Sequence, residues 1–165
     1  MSTISLIGIS PTTGYAFYSG DYINIKNICR ALNIGEGKLA KITQNLVEEY
    51  QELVDRAIDA ELEQYYYTPL VPYNQKQPDG NTVAIYPGNI VRLARYWTAG
   101  LLLTSEFQGL DPNANESAVG YIEDSRRQLF EIVRYNKRLY GQRQKHNLKT
   151  APPGMFPGKN PEPNF

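Results

Sequence analysis

Histidine and cysteine are nearly missing from this chain: among 165 residues there is one of each, His146 and Cys29. A single cysteine excludes an intramolecular disulfide and makes a reducing compartment the simpler expectation. A zinc site needs several Cys or His ligands at set spacings, and His146 has no second ligand near it. The same scarcity leaves Ser/His or Cys/His nucleophilic catalysis only His146 to work with, and nothing in its basic surroundings holds it rigid. Cys29 reads as a small buried hydrophobe rather than a nucleophile. There is no P-loop or dinucleotide fingerprint, and Gly35-Glu36-Gly37 is too short to stand for one. No enzyme, cofactor or resident metal is expected. Net charge is absent too: 17 basic residues balance 17 acidic ones, so the overall charge points to neither nucleic acid nor membrane. No apolar run approaches the ~20 residues of a membrane span. Residues 1–10 are apolar, lack basic residues and are too short for a signal peptide, so a soluble protein made inside the cell is the expectation.

What is present is ordinary in bulk and uneven in distribution. The length suits one domain with room for arms. The 13 tyrosines offer contact area at low rotamer cost, the kind of surface enriched at protein–protein interfaces, although any one of them can equally sit at a core boundary. Residues 36–66 carry eight acids (Glu36, Glu48, Glu49, Glu52, Asp55, Asp59, Glu61, Glu63) against three bases (Lys38, Lys41, Arg56), net −5. Residues 121–149 carry eight bases (Arg126, Arg127, Arg134, Lys137, Arg138, Arg143, Lys145, Lys149) against three acids (Glu123, Asp124, Glu131), net +5. Such a split suits complementary faces, within one molecule or between copies, as well as two unrelated solvated faces.

Along the chain the patterning is mainly helical. Residues 1–20 form an expected extended arm, with Ile4, Leu6 and Ile9 near alternation and Gly8, Pro11, Gly14 and Gly20 against helix. Asp21 can cap a short helix over residues 25–32. Leu39, Ile42, Leu46, Tyr50, Leu53, Ala57 and Ile58 recur at three- and four-residue intervals and predict an amphipathic helix over about 38–66, stopped by Pro69. Residues 67–87 read as an extended, hairpin-like excursion turning at Pro78-Asp79-Gly80, with strand formers over 82–86. Pro87 suits the first turn of a third helix, apolar nearly all round and hence central, ending near Gly109. A fourth helix is predicted from Glu116 to about Tyr140, with Ala118, Ile122, Leu129, Ile132, Val133 and Tyr140 as its stripe and Gly141 as its close. Residues 141–165 form a tail, proline-rich toward its end, that cannot bury enough apolar surface to fold alone. The expected architecture is therefore a small bundle of about four helices: arm 1–20, helical core 21–140 with loop 67–87, and tail 141–165.

Beside a solvated helix face, the charged residues admit two chemical readings. Glu48 with Glu52, and Asp55 with Asp59, stand four residues apart and share one helix face, where they could hold a divalent cation for a small hydrolase; Glu52 can equally pair with Arg56. Residues 25–42 resemble a helix-turn-helix, which makes a small DNA-binding protein the alternative. Its second helix would run into the acidic face, which phosphates repel.

The order of elements carries a resemblance. A short helix, a long acidic helix ending in Tyr65-Tyr66-Tyr67-Thr68-Pro69-Leu70, a loop, and a helix containing Ile90-Val91-Arg92-Leu93-Ala94-Arg95-Tyr96-Trp97 are similar to the head–tail adaptor, or connector, proteins of tailed phages. The resemblance covers roughly residues 21–140; the arm and tail are longer than the family's minimum. It implies a structural virion protein at the neck, made in the host cytoplasm. About twelve copies would form a ring under the portal protein, extend the DNA channel without sequence-specific DNA contact, and dock a tail-side connector or stopper. Another neck or tail-completion protein is the nearer alternative, though one richer in strands would be expected. Within this reading Arg143, Lys145, Lys149, Met155, Phe156 and Phe165 are the candidate portal contacts. Glu48, Glu52, Asp55 and Asp59 on one side, and Arg126, Arg127, Arg134 and Arg138 on the other, are the candidate contacts between copies. Residues 4–9 are expected to pair with residues 82–86.

Overall fold

The computed structural model describes residues 17–19, 42–106, 112–135 and 138–145. Among them are three helices and a two-stranded sheet, in the order α1 (Gln44–Leu62), β1 (Tyr73–Lys76), β2 (Thr82–Ile85), α2 (Gly88–Glu106) and α3 (Pro112–Arg134). The mainly helical class predicted from periodicity is thus observed. The expected helix over 25–32, residues 4–9 with their expected pairing, and the tail beyond 145 lie outside the described residues.

Helix α1 starts later than its apolar pattern suggests because Thr43 caps it. The Thr43 backbone is extended (φ −82°, ψ 157°) and its hydroxyl accepts the Leu46 amide at 3.3 Å, satisfying a donor that the first turn would otherwise leave open. It also ends earlier: after Leu62 the chain turns through residues 63–65, well before Pro69. The buried face differs from the predicted one as well. Val47, Gln51, Val54, Asp55, Ile58 and Leu62 are buried at helical spacing, whereas Leu53 is 55% exposed and Leu46, Tyr50 and Ala57 are half-buried. Three polar residues, Glu48, Gln51 and Asp55, interrupt the true stripe, so hydrophobicity alone selects a neighbouring face.

Helix α2 is central as its composition predicts. It packs on both α1 and α3 and buries Ile90, Leu93, Ala94, Trp97, Leu102 and Leu103. The Pro87 carbonyl accepts the Val91 amide at 3.0 Å, so the proline precedes the helix and opens it. The main core gathers Val54, Ile58 and Leu62 of α1, Ile90, Leu93 and Trp97 of α2, and Leu129 and Ile132 of α3, with Tyr18, Tyr66, Leu70 and Leu139 from the connecting segments. Each such aliphatic or aromatic side chain contributes about 1.5–3 kcal/mol by leaving water. A second cluster, Ile42, Val47, Leu102, Leu103 and Ala118, closes the other end.

Gly100 lets α2 and α3 approach. A Cβ there would lie 2.7 Å from Cγ1 of Ile122 and 2.8 Å from the Ala118 carbonyl oxygen. The first neighbour can rotate away, but the second is backbone. Gly100→Ala gains about 1 kcal/mol of helix propensity yet forces α3 outward, at an overpacking cost of about 1–3 kcal/mol. Net destabilisation is expected in urea unfolding, larger for Gly100→Val; an unchanged or raised midpoint for both variants would contradict this close approach.

Residues 67–87 form the hairpin read from the sequence. β1 and β2 pair antiparallel, Tyr73 opposite Ile85 and Lys76 opposite Thr82. The turn is built as the Pro-Asp-Gly signal implies: Gly80 has φ +86°, and Asp79 Oδ1 accepts the Asn81 amide at 3.0 Å. That hydrogen bond, with a second from the Asn81 side chain, holds the Asp79 carboxyl below the usual carboxylate range.

Helix α3 ends at Arg134 rather than near Tyr140. Leu139, not Tyr140, enters the core, and Tyr140 is 73% exposed, edge-on to Tyr73 at 4.8 Å. Gly141 closes a turn instead of a helix, with φ +73° and the Gln142 amide donating to the Leu139 carbonyl. A Cβ at Gly141 would lie 2.8 Å from Cβ of Tyr73. From this turn residues 142–145 run back beside residues 65–71, so the chain stays fastened to the core through Lys145, beyond the tail boundary read at 141.

Candidate functional site

Three places bring functional groups together. The first is internal. Residues 17–19 lie buried against α1 and α2, and their polar atoms are met by the residues that interrupt the α1 stripe. The Tyr18 amide donates to Asp55 Oδ2 at 3.0 Å, and the Tyr18 hydroxyl donates to Asp59 Oδ1 while accepting the Leu70 amide, both at 2.6 Å. The Gln51 side-chain amide donates to the Ser19 hydroxyl and Arg95 donates to the Ser19 carbonyl. Tyr18 also packs edge-on to Tyr86 at 4.9 Å. Burial pushes the Asp55 carboxyl up to about 8, helped by the charges of Asp59 and Glu52 and opposed by the Tyr18 amide. Its other oxygen, Oδ1, is buried with no hydrogen-bond partner among the described residues. Burial also raises Asp59, against the pull of the Tyr18 hydroxyl, and burial together with Asp59 raises the Tyr18 phenol.

This placement changes the reading of the acidic helix. Asp55 and Asp59 face inward onto Tyr18, and Glu48 is buried, so these three do not form a free face for another copy. Glu52 pairs with Arg56 on the solvent side. The carboxylate pairs therefore do not converge as cation ligands, and no cluster of three His, Cys, Asp or Glu groups suited to a metal occurs among the described residues. The exposed acid of α1 and its end is Glu49, Glu52, Glu61 and Glu63.

The second place is the surface made by the returning strap. The Tyr67 amide donates to the Arg143 carbonyl at 3.2 Å, the Lys145 amide donates to the Tyr65 carbonyl at 2.7 Å, and Tyr66 faces Gln144 in an antiparallel bridge. The Gln142 side chain doubles the contact, accepting the Val71 amide and donating to the Val71 carbonyl. Tyr66 is fully buried beneath, its hydroxyl accepting the Leu139 amide and the Gln144 side chain, each at 3.1 Å. Above it Tyr67, 57% exposed, has the Arg143 guanidinium 5.6 Å and the Lys145 ammonium 5.7 Å from its ring centre. Lys145 Nζ also donates to the Glu63 carbonyl. Exposed Val71 and Tyr140 extend the apolar area. Two of the six expected portal contacts, Arg143 and Lys145, are thus together; Lys149, Met155, Phe156 and Phe165 lie outside the described residues, as do His146 and Cys29.

The third place is an open cavity of about 440 Å³ where the three helices meet, lined by Ala57, Glu61, Trp97, Arg126, Leu129 and Phe130. The Arg126 guanidinium lies 5.4 Å from the Trp97 ring centre. Arg134 lies over both Phe130 and Tyr135, Arg127 pairs with Asp124, and Arg138 is exposed. Among the site residues to which the sequence gives no site role are Tyr18, Ser19, Gln51 and Gln142, and also Tyr66 and Trp97, which stand there only within the runs that carry the resemblance. The Tyr65-Tyr66-Tyr67 run was a signal for one of them; for Tyr18 there was none. Compared with protein-family models, curated proteins and solved structures, the chain matches none of them.

Proposed function

We propose that this chain is a non-enzymatic assembly protein of a tailed-phage particle, a head–tail adaptor that forms a ring beneath the portal and docks a tail-side connector or stopper. The observation that carries the reading is the strap surface. Main-chain pairing of residues 143–145 with 65–67 holds an exposed tyrosine beside two cations, immediately before residues 146–165 in sequence. Fixed cations beside an exposed aromatic steer and then hold a partner with an acidic surface. The segment beyond Lys145 carries Lys149, Met155, Phe156 and Phe165, which supply charge and apolar anchors to the partner. The ring, about twelve copies surrounding the DNA path, follows from the family resemblance and from the basic and acidic residues set on different helices.

The test is to mix the protein with portal rings from the same source and image the product by electron microscopy. A second ring stacked on the tail-facing side is expected. Bare portals at high protein concentration would reject the adaptor role and turn attention to duplex DNA, where binding would fall steeply with salt. Ending the chain after Lys145 keeps the strap intact, so helical circular dichroism should be unchanged while portal decoration is lost; decoration equal to that of the full chain would remove the tail from the docking role.

A further inference from the structure

The outward face of α3 is charged in halves. Glu116, Gly120, Glu123, Arg127, Phe130 and Arg134 follow one another at alternating four- and three-residue steps, and all six are exposed. Steps of that kind average 3.5 residues and lie in one seam along a helix, the seam along which two helices pack. The acids stand in its first half and the bases in its second. Two positions depart from an ordinary solvated face. Phe130 is 57% exposed, and Gly120 leaves an open depression of about 360 Å³ bordered by Glu123, Asp124 and Arg127. A Cβ at Gly120 would meet nothing within 4 Å, so the fold of one copy gives no reason for glycine there. Glycine inside a helix costs about 1 kcal/mol against alanine.

The seam is complementary to itself read backwards. In a second α3 laid antiparallel, with the two-fold axis level with Ser125, Glu116 stands opposite Arg134, Glu123 opposite Arg127 and Gly120 opposite Phe130. Each pairing then occurs twice. A parallel neighbour would set acid against acid, base against base and Phe130 against Phe130.

We propose that α3 pairs antiparallel with α3 of a second copy, each Phe130 entering the depression over the other copy's Gly120 and the two charged halves meeting across the axis. Val119, 42% exposed and next to Gly120, extends the apolar landing for the ring. The like charges that flank the seam near the axis are turned onto their own copy: Arg126 stacks over Trp97, and Asp124 accepts the Gln128 side chain. The Arg127–Asp124 pair is exposed, so Arg127 turns to the second copy's Glu123 at little cost. Of the basic residues expected to meet other copies, Arg127 and Arg134 thus take part, against Glu116 and Glu123 rather than the acids of α1. A two-fold contact joins two copies and stops, so it is not the head-to-tail contact of a ring. It describes the free protein and stands whether or not the chain is an adaptor.

The experiment follows the sedimentation of the full chain across protein concentration. A reversible dimer is expected; a chain that stays monomeric up to about 1 mM overturns the contact. Gly120→Gln fills the depression from its own copy, where nothing stands in the way. It should keep or raise the unfolding midpoint while moving dimerisation to about tenfold higher concentration. Glu123→Arg should weaken the dimer in the same way, and Arg127→Glu added to the same chain should restore it, because the exchanged charges still meet. Either single variant dimerising like the native chain overturns the contact, as does a double variant no stronger than Glu123→Arg. Direction is read by mixing Glu123→Cys with Arg127→Cys under mild oxidation. A covalent dimer joining the two is expected in excess of that from either variant alone, which also controls for Cys29. Glu123→Cys linking to itself as readily as to Arg127→Cys would show that the helices do not run antiparallel, and the proposal falls.

Discussion

The unfolding midpoint of this protein is expected to fall as pH rises from about 4 to about 8, and Asp55→Asn is expected to flatten that slope. The cause is a carboxyl enclosed by α1, α2 and residues 17–19, held up to about 8 when folded against 3.8 when free. Between those values the folded chain binds a proton that the unfolded chain releases. Stability therefore decreases with pH across the window, by at most about 1.4 kcal/mol per pH unit for one group, and levels off above it. Asp59 is displaced in the same direction and steepens the acid side. Exposed Asp79 is displaced the other way, but on a solvated turn it contributes little. Asparagine keeps an acceptor for the Tyr18 amide and cannot ionise. It also buries an amide where Asp55 Oδ1 has no partner among the described residues, so Asp55→Asn should be the less stable protein at the acid end and the more stable one at the alkaline end. Circular dichroism melts over this range measure both curves. Parallel slopes would show that Asp55 is not the titrating group.

The neutral carboxyl at Asp55 also explains how far the sequence could be read. Helix, hairpin, helix, helix was legible because each element advertises itself locally. Pro78-Asp79-Gly80 marks a turn followed by the strand formers of residues 82–86, and the run from Ile90 to Leu103 is apolar nearly all round. The rotation of α1 was not legible. Its buried face includes Gln51 and Asp55, which look solvent-facing until residues 17–19 supply the groups they bind. Local periodicity cannot show a partner more than 30 residues away in sequence. The same limit hid the end of α3. Leu139 and Tyr140 are adjacent and both apolar in character, and only the distant Tyr66 hydroxyl, which takes the Leu139 amide, decides which of them turns inward. The charge split between residues 36–66 and 121–149 was visible. What it could not reveal is that Asp55 and Asp59 are engaged inside the molecule while Glu49 and Glu52 remain outside.

Both non-helical segments are tied in by a tyrosine hydroxyl that accepts a main-chain amide: Tyr18 takes Leu70, and Tyr66 takes Leu139. The second tie bears directly on the strap surface, and its removal should have the largest effect of any single change there. Tyr66→Ala empties a fully buried site and is expected to cost about 3–5 kcal/mol, a large share of the roughly 5–15 kcal/mol that holds a domain together. Tyr66→Phe separates the hydroxyl from the ring. The core stays filled, but the Leu139 amide and the Gln144 side chain lose their acceptor, at a cost of about 1–3 kcal/mol. That loss falls on the strap rather than on the helices. In Tyr66→Phe the amides of Leu139, Tyr67 and Lys145 should exchange faster, because the last two are bonded only across the strap, while amides within α2 keep their protection. Arg143 and Lys145 would then no longer be fixed over Tyr67, and portal decoration should weaken in a protein whose helices are intact. Unchanged exchange at Leu139 would mean that the Tyr66 hydroxyl does not hold the strap; faster exchange with undiminished decoration would mean that the strap surface is not where the portal binds.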